Sequence, residues 1–211
     1  MEDVSDMPTT PSALMTPSVS TIGTPRRMAA FFSADCSAFG IGIRYFTRPG
    51  WLPLPLAKFQ HVGFVFEDRY GHRERHEALY SEGWHIKRWD TLRRFAERPG
   101  CRVEVIWLDT LDPSRVADLW RESCSWEGRM SYDATHIIGL AILNSLFGRA
   151  VLQPCGMTIA NDPHKVFCSE GCARLLFAFF PRIDLRKRSC DTWDSVTPND
   201  ARIRLRALLP A

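Results

Sequence analysis

The sequence lacks any apolar run long enough to cross a membrane. Its most apolar stretch, 137–152, is interrupted by Asn144 and Arg149, whereas a helical span takes roughly 20 mostly apolar residues. A secretory leader is also missing. Residues 1–27 hold no apolar segment, and the run after Arg26-Arg27 stops at Ser33, short of the roughly 7–15 residues a leader uses. Charge of one sign is scarce: 27 Lys and Arg stand against 24 Asp and Glu, a net +3. That excess is too small to argue for nucleic acid or a membrane surface as partner. No phosphate-cradling glycine loop and no dinucleotide fingerprint is present. The seven cysteines are odd in number and scattered. Without a leader they read as reduced thiols in a cytoplasmic protein, not as a disulfide framework.

What is there is ordinary globular material. Of 211 residues, 45% are hydrophobic and 24% charged, enough apolar content to exclude a wholly disordered chain. In residues 1–27, 4 Pro, 5 Thr and 4 Ser occur without periodicity. That composition predicts a disordered tail, followed by one domain over 28–211. Met28 is a possible alternative start.

Strand patterns fall at Phe31-Phe32, Gly40–Phe46, His61–Glu67, Glu74–Tyr80 and Arg102–Leu108. Residues 51–58 read as a Pro-rich loop, and 68–71 and 81–84 as turns. Asp90 reads as the cap of a short helix with Leu92 and Phe95 on its inner face, ended by Pro99-Gly100. Asp112-Pro113 is an N-cap with proline at the first helical position. Further helices are predicted over 133–147, over 168–180 and after Thr197-Pro198, the last with Ile203 and Leu208 facing inward. Strands grouped between residues 30 and 110, with helices mostly after them, predict an α+β fold.

Three residues can carry chemistry. Cys168 stands immediately before an apolar helix. There the helix dipole and free backbone N–H groups favour a thiolate and can stabilise an oxyanion. His61 opens a strand, and Glu77 lies on its expected partner strand. A thiol, an imidazole and a carboxylate suffice for nucleophilic acyl chemistry, whatever their order in the chain. Taken singly, a cysteine in an apolar helix is more often packing, and a histidine at a strand end is more often structural. Glu67, Glu74 and Glu82 are nearby acids. A slip of one residue in register would present His76 instead of Glu77.

The motifs taken together carry a resemblance. His61-Val-Gly-Phe-Val-Phe-Glu67 resembles the His-x-Gly-apolar strand of permuted papain-fold cysteine hydrolases, the YiiX-like branch of the NlpC-type superfamily. His76-Glu-Ala-Leu-Tyr-Ser-Glu-Gly-Trp84 is similar to its acidic strand. Tyr132-Asp133 is similar to the Tyr-Asp that opens its central helix, and Val166-Phe-Cys-Ser-Glu170 to its Cys-Ser-Glu helix start. Ser33-Ala-Asp35 resembles the Gly-Asp of its first strand, and Thr197-Pro198-Asn-Asp200 its C-terminal Thr-Pro segment. The likeness covers about residues 31–203, and the succession His, Glu, Cys carries it.

It implies a circularly permuted papain-like fold with an antiparallel sheet against helices. It also implies Cys168 as nucleophile, His61 as base and Glu77 as the third polar residue. The expected activity is hydrolysis of an amide, peptide or ester bond by a cysteine peptidase or amidase, with a peptide, amide or acyl substrate. No metal or organic cofactor is needed. Two departures stand out. Gly171 and Cys172 follow Cys-Ser-Glu where an apolar residue is usual, and 51–58 is rich in Leu and Pro instead of Ser and Thr. A catalytically silent module with the same fold, or a thiol acyltransferase on the same triad, are the alternatives.

Other clusters are open to blander readings. His164, Cys168 and Cys172, with Cys155 as a fourth ligand, lack the tight knuckles of zinc sites. Cys172 fits a core position one turn below Cys168. Glu170 reads as a first-turn helix acid, His136 as semi-buried, His72 as solvated and Arg182–Arg188 as a solvated basic stretch. Trp84 and Trp89 are candidate pocket walls near Glu77.

Overall fold

A computed structural model describes residues 20–47, 58–80, 82–133, 164–186 and 196–208. The elements in order are β1 (Pro25–Ala34), α1 (Ala38–Thr47), β2 (His61–Asp68), β3 (Arg73–Leu79), β4 (Gly83–Arg88), α2 (Trp89–Ala96), β5 (Arg102–Trp107), α3 (Pro113–Trp126), β6 (Ser131–Tyr132), β7 (Lys165–Val166), α4 (Cys168–Phe179) and α5 (Pro198–Ala207). The first five strands form one antiparallel sheet in the order β4-β3-β2-β1-β5, and β6 pairs in parallel with β7. The fold is α+β.

Strand β1 lies between β2 and β5, and no residue from Met28 to Ala34 is more than 7% exposed. Alternation along the strand explains why. Met28, Ala30 and Phe32 join Phe64 and Phe66 in the main core beneath Leu119 of α3 and Leu176 of α4. Ala29, Phe31 and Val65 face the other way, onto Leu92 of α2. Each buried Phe or Leu contributes about 1.5–3 kcal/mol by leaving water. The sheet is therefore anchored on both faces, which fixes its register. At the start of α3, the Asp112 carboxylate accepts from Ser114 N at 2.7 Å.

Several expectations need correction. β1 begins at Pro25 and the chain is described from Ser20, so residues 20–27 are structured; 1–19 lie outside the described residues. Ser20 Oγ and Thr21 N donate to the buried Glu74 carboxylate, and Gly23 N donates to Asp68. Residues 40–46 are helical, within α1. Ser37 caps that helix by accepting from Gly40 N at 3.0 Å. A Cβ on Gly40 would collide with Asp35 and Gln60, so this glycine marks a close helix approach, not strand alternation. β4 replaces that strand in the sheet. It opens at Gly83, whose φ of +71° is a glycine conformation. In α5, Ile203 is exposed, as is Leu208 just past its end, and Ala201 and Leu205 are buried instead. Asp90 lies inside the first turn of α2, whose N-cap position is Arg88. The helix expected over 133–147, with His136, and most of the loop 51–58 lie outside the described residues.

Candidate active site

His61 is the first residue of β2, opposite Ser33 of β1. Its approach is held from two sides. Gln60 N donates to Ser33 O. Asn199 of α5 grips the Phe59 backbone twice, donating from Nδ2 to Phe59 O at 2.8 Å and accepting from Phe59 N at 3.3 Å. α5 is itself fixed by a reciprocal cap between Thr197 and Asp200.

Phe64 pairs with His76. One step along, Glu77 therefore stands beside Gly63, on the face that His61 shares. Glu77 Oε2 lies 2.7 Å from His61 Nε2. The Phe31 ring fills the space over Gly63, 5.8 Å from the imidazole. A Cβ on Gly63 would come within 2.5 Å of that ring and 2.7 Å of the His76 carbonyl. The glycine of His-x-Gly is thus a packing requirement of the histidine's surroundings.

Glu77 is only 1% exposed, and Arg75 Nη1 reaches its Oε1 at 3.0 Å as a close ion pair, not an aligned hydrogen bond. Burial alone would raise the Glu77 pKa. Hydrogen bonding and charge from His61, then the charge of Arg75, outweigh it and hold the carboxyl ionised.

Cys168 is the first residue of α4 and is 4% exposed. The residue before it, Phe167, has no side-chain acceptor, so no N-cap side chain covers the first-turn N–H groups. Helix α4 comes close to the sheet because residue 171 is glycine: a Cβ there would lie 2.7 Å from the Trp84 ring. Cys172, one turn on, is a buried core residue whose thiol pKa is pushed up, mainly by burial. Ser169 Oγ donates to Val196 O at 2.6 Å, which ties the helix start to the lead of α5.

Burial also works against a charged imidazole at His61. The negative charge of Cys168 and a hydrogen bond to its sulfur, followed by the Glu77 hydrogen bond and charge, overcome it and push the pKa up to about 10. Glu77 occupies Nε2, which leaves Nδ1 as the ring nitrogen for Cys168. The structure thus brings together the three residues expected from sequence, with Glu77 rather than His76 presented to His61.

Beside them lies a cleft of about 440 Å³. Its walls include His61 and Glu77, with Tyr132, Tyr80, Leu92 and Phe95. The charge of Cys168 helps to hold the Tyr132 phenol protonated, with burial the larger cause. Trp84 and Trp89 do not line this cleft, contrary to expectation. Trp84 is fully buried, with Nε1 donating to Ser123, and Trp89 borders a separate hollow with Arg73 and Arg88. Three features were not singled out from sequence: the Asn199 clamp, the Arg75 brace and the Asp35–Gln60 contact beneath Gly40. Asn199 lies inside the Thr-Pro-Asn-Asp segment, but nothing in sequence says which backbone it holds.

The alternative acids are engaged elsewhere. Glu67 pairs with Arg27 and Arg73, Glu82 with Lys87, and Glu170 is a buried first-turn acid 3.5 Å from Arg174. His72 is exposed beside Asp68. Of the basic stretch, Arg186 pairs with Asp184.

Among the described residues, one group brings metal-ligand atoms within 4.8 Å of one another: Glu74, His76 and Cys124. His164, Cys168 and Cys172 form no such group there, and Cys155 lies outside the described residues. The Glu74 group is closed by directed hydrogen bonds. Trp84 Nε1 donates to Ser123 Oγ, which stands 2.7 Å from His76 Nδ1, and His76 Nε2 stands 3.0 Å from Glu74 Oε1. Trp120 and Ser20 fill the remaining sites on that carboxylate. Burial lowers the His76 pKa, so a neutral imidazole accepts from Ser123 and donates to Glu74. This is a saturated structural network.

No helix among the described residues is long and apolar enough to cross a membrane. Compared with protein-family models and with curated proteins, the sequence matches none.

Proposed function

We propose that the chain is a cysteine hydrolase of circularly permuted papain-like architecture, acting on an amide, peptide or ester bond. One observation carries this reading: a single imidazole, His61, is bonded at 2.7 Å to the buried Glu77 carboxylate, and its raised pKa reflects the Cys168 thiol that opens α4. The Cys168 sulfur attacks the substrate carbonyl and forms a C–S bond. The N–H of Cys168 at the head of α4 supports the oxyanion. As the tetrahedral intermediate collapses, the C–N or C–O bond breaks and His61 gives its proton to the leaving group. Water then attacks the thioester, His61 takes a proton from it, and the acid leaves with the resting pair restored. Glu77 keeps the ring oriented and stabilises its charged form. The chemistry is complete with these side chains and water.

An activated ester tests the scheme without knowledge of the natural substrate. With 4-nitrophenyl acetate, the account predicts a burst of one 4-nitrophenol per chain, an acetyl group located on Cys168 by mass spectrometry, and slow turnover. Cys168→Ala removes the burst, and His61→Ala slows it by on the order of 10²-fold or more. Acetyl spread evenly over Cys36, Cys101 and Cys124, or a burst that survives Cys168→Ala, contradicts it.

A further inference from the structure

The cleft beside His61 has a charge bias that bond cleavage does not require. Both of its carboxylates are committed. Glu77 serves His61 and Arg75. Asp35 accepts from Ser37 N at 2.9 Å and Ser37 Oγ at 2.6 Å, and it takes a further hydrogen bond from Gln60. The cations on the same walls, Arg75, Lys87 and Arg98, are only partly used.

Arg98 is exposed just beyond α2 and has no ion pair among the described residues. The neighbouring Arg88, Arg93 and Arg94 all have acidic partners. Arg75 keeps its Nε–H buried without an acceptor, so part of its positive charge behind the cleft wall is unmet. Lys87 donates once, to Glu82 at 3.0 Å, and an ammonium carries three donors. The charged hydrogen-bonding capacity left on this wall is therefore cationic, with Gln60 Oε1 as a buried neutral acceptor lacking a donor, above the apolar surface of Leu92 and Phe95.

We propose that this wall selects acyl substrates that carry a carboxylate close to the cleaved bond, with Arg98 as its outer anchor. The proposal rests on the hydrolase reading of the same site and deepens it. A guanidinium matches a carboxylate in shape and charge, and such paired bonds are among the stronger ones available. Arg98 is solvent-facing, so its contribution weakens with added salt.

The test uses two alkylating agents of nearly equal size. Iodoacetate is anionic and iodoacetamide neutral; with either, the Cys168 sulfur displaces iodide. The rate ratio of iodoacetate to iodoacetamide at Cys168 is compared with that of the same chain unfolded in urea. The proposal predicts a ratio at least 10-fold higher in the folded protein, with saturation by iodoacetate and competition by succinate. It predicts that Arg98→Gln lowers the ratio about 10-fold and that Arg98→Lys lowers it less. A folded ratio equal to the unfolded one, and insensitive to Arg98→Gln, overturns the proposal. If Cys168 reacts slowly with both agents yet keeps a raised, Arg98-dependent ratio, the anion site stands and the hydrolase reading falls.

Discussion

At Glu77 the distinction between charge and shape becomes testable. The carboxylate is 1% exposed and bonded to His61 Nε2 at 2.7 Å. Glu77→Gln keeps the size and removes the charge, so the amide no longer favours a protonated ring. The expected result is acylation by 4-nitrophenyl acetate slowed by about 10²-fold, with far-UV circular dichroism unchanged. An acylation rate within about twofold of wild type would show that Glu77 is structural only. The identities of His61, Glu77 and Cys168 were legible in sequence because residue type, order and local pattern agreed. The choice between Glu77 and His76 was not, since it depends on register. That register is set by Phe31 and Gly63 on a neighbouring pair of strands and by Phe64 against His76.

At the scale of elements, α4 delivers the thiol and Gly171 sets how near it comes. Gly171→Ala places a methyl 2.7 Å from the Trp84 ring, an overpacking that costs about 1–3 kcal/mol. The prediction is a lower denaturation midpoint together with slower Cys168 acylation, because the helix start is displaced from His61. A variant as stable and as reactive as wild type would show that the helix does not need this contact. The helices around the site were readable where caps announce them. Asp112-Pro113 and Thr197-Pro198 both behave as their chemistry dictates. In α1, Gly-Ile-Gly-Ile imitates strand alternation, whereas Gly40 serves contact with Asp35 and Gln60. β4 is masked in the sequence because its first residues, Gly83 and Trp84, also read as the end of a turn. Its buried Trp84 and Ile86 alternate with half-exposed His85 and Lys87 only once the strand is recognised.

At the scale of the molecule, distant parts of the chain converge on one imidazole. β2 carries it, β3 supplies its acid, α4 its thiol, and Asn199 of α5 steadies the backbone two residues before it. None of these long-range meetings is written in local pattern, which is why the Asn199 clamp and the Arg75 brace had no sequence signal.

The central claim is that His61 rests as an imidazolium between Glu77 and Cys168, and titration of that ring tests it most directly. Its folded pKa is raised to about 10 from an ordinary 6.5. The proton is therefore retained through neutral pH, and the stability it contributes is complete below 6.5 and lost as pH rises through about 10. Histidine-selective NMR, with His61→Ala for assignment, should find the ring protonated at pH 8. In Cys168→Ala the partner charge is gone, and the midpoint should fall. A His61 that titrates near 6.5 in wild type, with no change in Cys168→Ala, would contradict the account.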